Sequence, residues 1–408
     1  MEASPRVPQE GASRPRILTL RLAYVAYFAS LGVYGPFFPR WLEARGITGV
    51  SLGVVSGTLP AMGVLGPPLF GWLADRLRLR GALLRVALLG SAGLFALLAP
   101  LAFAAPRTPL VPLLALMLLF ALVRSPIVTL LDVVTLEHAE SLGSSFGGIR
   151  LWGSLGFLAA AVGAGAVVSP ASPLTLPLVV ATGLALAGLV AFRLPPAART
   201  LAPPRLGDVR ALLGRRDFEL ACLAMLVAQL GHSAYDLTYS LHLRDRGFSD
   251  LFVGSAWALG VFVEVGLMAL TPRLFASGKQ PRYFVLGLLG GVVRWALLGQ
   301  ATSGAAILAL QPLHALSFAL TWMGGATWVK GAVRGELLAT AQGVFLGAFA
   351  AGSLGGMLLW SAVYREYGGA LVFTAASGVT LLAACVALFF VRAAEARGRA
   401  GLAAQPVA

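Results

Sequence analysis

Asp132 stands near the end of one long apolar run, and Arg150 opens the next, 18 residues further on. Arg294, in the run Val292-Val293-Arg294-Trp295, and His314, in Pro312-Leu313-His314, lie 20 residues apart, and Glu264 is the one acid deep inside its own apolar run. Opposite charges that meet across a short turn can form an ion pair or together hold a polar solute. A carboxylic acid withdrawn from water can take up a proton and release it according to which cation lies beside it, and an imidazole changes charge near neutrality. Gln229, His232, Asp236 and Tyr239 follow at offsets of 0, 3, 7 and 10, which puts them on one helix face. Arg124 sits eight residues before Asp132, about two helical turns away. Arg124, Arg150 and Arg294 balance Asp132, Asp236 and Glu264, so these groups suit an anionic solute and a neutral polyol equally well.

Such charges are conspicuous because 58% of the 408 residues are hydrophobic and only 12% are charged. Soluble domains carry about a quarter charged residues. This composition instead fits a bilayer, where apolar spans of about 20 residues must satisfy their backbone polar groups within a helix. A charge placed there is costly, and it is retained at a solute path, a proton relay or an ion pair. The net charge of +14 does not point to nucleic acid, because the arginines lie between apolar spans and not on one face of a soluble fold. Cys222 and Cys385 both fall in apolar runs, so no disulfide framework is implied. There is no Gly-rich phosphate loop with lysine, no metal-spaced histidine pair and no nucleophile elbow. An enzyme, a metal centre and a bound cofactor are therefore not expected.

Dividing the chain at its polar breaks gives about twelve spans. They contain Gly and Pro freely, as membrane helices do, and runs such as Gly153-Ser154-Leu155-Gly156 and Gly352-Ser353-Leu354-Gly355 allow close helix packing. Lysines and arginines outside the spans concentrate on the side that holds the N-terminus, which puts both termini in the cytoplasm of a cell whose inner membrane the chain crosses. The first span runs on past residue 35 without a small-residue cleavage site, so a retained helix is expected. Residues 194–216, rich in Pro and Arg, form the longest polar stretch and the expected cytoplasmic linker. The expected organisation is a tail over 1–16, a six-helix bundle over 17–193, that linker, a second bundle over 217–392 and a C-terminal tail over 393–408.

The two halves repeat. Leu42-Glu43-Ala44-Arg45-Gly46-Ile47-Thr48 recurs as Leu243-Arg244-Asp245-Arg246-Gly247-Phe248-Ser249, an offset of 201, and the two Gly-Ser-Leu-Gly runs repeat at 199. Duplicated halves of this kind characterise transporters that bind solute near the bilayer midplane. After the second span comes Gly71-Trp72-Leu73-Ala74-Asp75-Arg76 followed by basic residues, which resembles the loop signature of the major facilitator superfamily. Gly71, Asp75 and Arg76 are the matching positions, and Arg78 stands where a glycine is usual. The resemblance implies an all-α membrane protein with twelve transmembrane helices in two pseudo-symmetric bundles.

Within that superfamily, the run Ile149-Arg150-Leu151-Trp152-Gly153 and the spacings above resemble the lactose permease and phenylpropionate permease branch. The resemblance gives Asp132 and Arg150 the role of solute ligands and puts Phe157 where a stacking aromatic is expected. Arg124, His232, Asp236 and Tyr239 join them as candidate cavity residues, while Glu264, Arg294 and His314 form the candidate proton-coupling group. His314 is expected to share the proton or to donate a hydrogen bond to the solute. An acid usual one turn after this histidine is replaced by Ser317, which departs from the branch at its proton step. Tyr24, Tyr27 and Tyr34 read as interfacial anchors or packing. The expected function is secondary active transport of a small organic solute, a sugar, nucleoside or aromatic carboxylate, by proton symport, with the proton gradient as energy source. Its partners are then that solute, protons and the bilayer, with no nucleic acid, and the transporter works as a monomer. Proton-driven efflux of drugs or metabolites, or a non-transporting receptor, are the alternatives.

Overall fold

A chain this apolar, placed where no water can accept its backbone hydrogen bonds, must close them within each segment, and helices result. In the computed structural model the described residues are 10–77, 79–103, 109–139, 141–169, 172–194, 206–275, 278–333 and 335–403, and no strand occurs among them. The first half comprises α1 (Glu10–Glu43), α2 (Val50–Leu77), α3 (Arg80–Ala96), α4 (Leu98–Phe103), α5 (Leu110–Arg124), α6 (Ile127–His138), α7 (Phe146–Val167) and α8 (Thr175–Ala191). A short α9 (Leu206–Leu213) precedes α10 (Arg216–Asp245), α11 (Asp250–Phe275) and α12 (Gln280–Gln300). The chain then forms α13 (Gly304–Ala309), α14 (Pro312–His314), a π-helical turn (Ala315–Leu320), α15 (Thr321–Ala332) and α16 (Gly335–Ala403).

Among the described residues, nine helical stretches are long and apolar enough to cross a bilayer. One of them, Thr340–Arg399, holds two helices, because Gly368 takes a left-handed φ of 74° that a residue with a β-carbon rarely adopts. Two shorter apolar helices, Val50–Gly66 and Thr175–Ala191, complete a set consistent with the expected twelve.

Two compact units form, Met1–Arg45 with Leu65–Thr200 and Gly46–Val64 with Leu201–Ala408. In the first, α1 packs along α7 and α8, and α3 packs on α8 and α5. In the second, α10 packs along α16, and α12 packs on α16 and α15. Glycine makes the two principal contacts close. Gly156 of α7 lies on the backbone of Val25, and Gly32 of α1 lies on the backbone of Phe157. Likewise Gly352 lies on the backbone of Leu226, and Gly356 meets the Leu230 carbonyl and Ser233. The first and fifth spans of each half therefore share one mode of packing, as the repeat in the sequence requires. Gly71, Asp75 and Arg76 of the loop signature fall in the last turns of α2, and their side chains lie outside the described residues.

Candidate functional site

In the first unit, three helices bring the candidate residues together. The Tyr24 hydroxyl of α1 donates to Asp132 Oδ1 of α6 at 2.6 Å, and Arg150 Nε of α7 lies 3.8 Å from the same oxygen. The Arg150 guanidinium rests over the Phe28 ring at 4.2 Å, and Gly153, one turn on, is small enough to let that ring approach α7. Arg124 stands over the Tyr27 ring at 5.7 Å, on the neighbouring turn of α1. The ion pair is not sealed: the side chains of Arg150 and Asp132 keep 34% and 29% of their surface exposed. Phe157, the expected stacking aromatic, contributes its backbone to the contact with Gly32, and the ring beside Arg150 is Phe28. Tyr24, read from sequence as an anchor, instead holds the aspartate.

The second unit holds a sealed cluster built around Arg294, which is fully buried on α12. Its guanidinium lies between two aromatic faces, Tyr235 at 4.3 Å and Trp295 at 4.4 Å. Such faces attract a cation and stand in for part of its lost hydration. Arg294 Nη1 donates to His314 Nδ1 at 2.9 Å and to Ser317 Oγ at 3.3 Å, while Nη2 donates to Gln311 Oε1 at 3.3 Å. A guanidinium has no acceptor, so His314 Nδ1 must accept. That fixes the imidazole as the tautomer with its proton on Nε2, and Nε2 faces Glu264 Oε2 of α11 at 3.5 Å. Both ring nitrogens of His314 are thus engaged, and the link from Arg294 to Glu264 runs through this histidine.

Gln311 continues the network in the other direction. Its amide nitrogen donates to the Tyr239 hydroxyl at 2.7 Å and to the Ile307 carbonyl at 2.9 Å. On α10, Gln229 Nε2 donates to Asp236 Oδ2 at 3.3 Å, and His232 Nε2 lies 3.7 Å from Asp236 Oδ1. The His232 ring sits 5.5 Å from Trp295, 5.8 Å from His314 and 5.1 Å from Phe318. The stripe expected on α10 therefore converges with Glu264, Arg294 and His314. Ser317, in place of the usual acid, accepts from Arg294 and donates to the His314 carbonyl at 3.3 Å.

The π-helical turn positions the last of these groups. One extra residue in that turn swells the helix, a departure from α geometry that recurs at functional sites. The swelling fits because α12 presents glycines there: Gly287 leaves room for the Leu316 carbonyl, and Gly290 leaves room for the Leu316 side chain. His314 then stacks almost parallel on Phe318, 9° apart, and points into the cluster. Gln311, Tyr235, Trp257 and Trp295 complete the cluster although the sequence reading did not assign them. The signal available for Gln311 was a lone amide in an apolar run, one residue before Pro312. Among the described residues no group of acids, histidines and cysteines is arranged to hold a metal ion.

The sequence matches the MFS_1 like family over residues 17–375. It is 28% identical over 361 residues to the probable 3-phenylpropionic acid transporter of Escherichia coli (strain K12), covering 87% of this chain and 92% of that protein. Against the maltose permease of Geobacillus stearothermophilus it is 29% identical over 282 residues, 67% of this chain and 68% of the permease. Among solved structures, the nucleoside transporter NupG aligns with a TM-score of 0.78 at 17% identity, over 92% of this chain and 98% of that one, which is a likeness of fold alone. The match runs through nearly every span, so this multi-pass membrane protein is a transporter of small solutes and not an enzyme, and it belongs to the MFS_1 like family of major facilitator transporters.

Proposed function

We propose that the chain is a proton-coupled symporter of a small organic solute, with Glu264 as the group that carries the proton. The observation behind it is the bonded series Tyr239, Gln311, Arg294, His314 and Glu264, in which every member but Glu264 has its polar groups committed to a neighbour within the series or to the backbone. His314 cannot gain a proton on Nδ1 without giving up Arg294, whereas Glu264 can gain one and lose only its contact with the His314 Nε2 proton. Protonation of Glu264 removes one negative charge beside the fixed cation Arg294. An imbalance of that kind in low dielectric is relieved by an incoming anion or by a hydrogen-bonding solute. In the first unit, Arg150 and Asp132 serve as solute ligands, since their long ion pair leaves both groups able to exchange one another for a solute oxygen.

The cycle alternates access between the two sides of the inner membrane, with both termini cytoplasmic and the protein acting as a monomer. It needs no cofactor, because the proton gradient supplies the energy. Transport of small solutes with a polar end by the relatives supports this reading.

The test is solute counterflow measured beside uptake driven by a pH gradient, in proteoliposomes of the wild type and of Glu264→Gln. The glutamine mimics the protonated acid, so counterflow should persist while gradient-driven accumulation vanishes. Accumulation by Glu264→Gln at the wild-type level would remove Glu264 from the proton path. Solute movement opposite to the proton flux would make the protein an efflux antiporter.

A further inference from the structure

Below His232, a cavity of about 230 Å³ opens between α10, the π-helical turn and α16. We infer that it seats the ring of the transported solute, and that the solute class is therefore the single-ring aryl carboxylates. This rests on the transport reading above and narrows it.

The size comes first. Cavities for drug-sized ligands run to about 300–1,000 Å³, so this one takes a fragment and excludes a disaccharide. The lining then selects the fragment. Phe318, Trp322 and Phe349 supply aromatic walls, with Trp322 and Phe349 edge to face at 5.2 Å, and Met225 and Ala228 supply the α10 side. An aryl ring adds a further stacked or edge-on pair to such walls. The polar groups are Gln229 and His232 at one edge, with Ser317 and Thr321 from the turn. Ser317 already bonds Arg294 and the His314 carbonyl. Thr321 Oγ1 is turned against Gly287 of α12 and is closed off from any solute. A sugar ring carries hydroxyls around its whole edge, and most would be buried here without partners, at about 1–3 kcal/mol each. A planar ring with one polar end leaves none stranded, because Gln229 and His232 meet that end alone.

Charge agrees with an acid at that end. Arg294 with ionised Asp236 and Glu264 leaves one net negative charge in the cluster. A carboxylate that enters together with one proton leaves that total unchanged, so symport avoids building up buried charge.

The experiment uses the full-length protein. Benzoate, phenylacetate, 3-phenylpropionate and cinnamate, with maltose and adenosine for comparison, are measured by calorimetry in detergent and by counterflow in proteoliposomes. At least one aryl acid should bind and exchange. Ala228→Phe fills the cavity and should weaken that acid by at least tenfold. Phe349→Leu and Trp322→Phe, gentler changes that keep the wall apolar, should each weaken it about three- to tenfold, the worth of one aromatic pair. Wild-type affinity in all three variants would show that the ring binds elsewhere and would overturn the inference while leaving transport intact. Exchange of maltose or adenosine with no aryl acid would overturn the solute class. Flux of none of these solutes through folded wild-type protein would count against the transport reading itself.

Discussion

Replacing Gln311 by leucine should cost the protein about 2 to 5 kcal/mol of stability. Gln311 is fully buried, and leucine is close to it in size, so the loss comes from hydrogen bonds and not from a cavity. The Tyr239 hydroxyl loses its 2.7 Å donor, the Ile307 carbonyl loses a second, and Arg294 Nη2 is left with no acceptor. Each stranded buried group costs about 1 to 3 kcal/mol. The Arg294 bond, long at 3.3 Å, contributes toward the low end, and that sets the range. Tyr239→Phe removes the other partner of the shortest bond and should cost about 1 kcal/mol. In the double variant neither partner of that bond is stranded, so the loss should fall short of the sum of the singles by about 1 kcal/mol. Denaturant unfolding in detergent, followed by tryptophan emission, measures all four proteins. Single losses that add to the double within about 0.5 kcal/mol would show that Gln311 and Tyr239 act independently. A Gln311→Leu loss below about 0.5 kcal/mol would refute the sealed network.

Asp132→Ala should reduce stability by no more than about 1 kcal/mol, because the pair with Arg150 is long and partly exposed, yet it should weaken solute binding at least tenfold. A loss of about 3 kcal/mol or more with binding intact would make the pair a structural lock between α6 and α7. Gly352→Val forces a side chain against the Leu226 carbonyl and should destabilise the α10 and α16 contact by about 1 to 3 kcal/mol, read from the same unfolding curves. Wild-type stability there would mean that the two helices separate at little expense.

The spans were legible because the bilayer imposes one length and one kind of side chain on each of them. The pairing of Arg294 with His314 was legible from spacing, since 20 residues carry a chain down one helix, around a turn and back beside its start. The identity of the partners was less legible. Tyr24 reads as a membrane anchor because a tyrosine near the start of a span suits that role equally well, and only the packing of α1 on α7 shows that it faces Asp132. Tyr235, Trp257 and Trp295 were hidden for a similar reason, since aromatics in an apolar span are first of all packing. The π-helical turn hid Phe318 and Thr321: an extra residue per turn breaks the 3.6-residue count from His314 onward, so face assignments past that point drift.

The two arginines that the sequence treats as equivalents are opposites in the structure. Arg150 is one-third exposed, faces its acid at 3.8 Å and has one aromatic ring beneath it, so a solute oxygen can take over as its partner at little electrostatic cost. Arg294 has no exposed surface, is clasped by Tyr235 and Trp295 and spends its Nη protons on His314, Ser317 and Gln311. Reaching a solute would mean breaking those bonds inside a low dielectric. Its use is as a fixed charge: it holds His314 in one tautomer, aims the Nε2 proton at Glu264 and so makes the charge of that one acid the variable on which the cluster turns. The histidine then tunes the acid without carrying the proton itself, which is why the loss of the usual acid at Ser317 leaves a complete proton site in place.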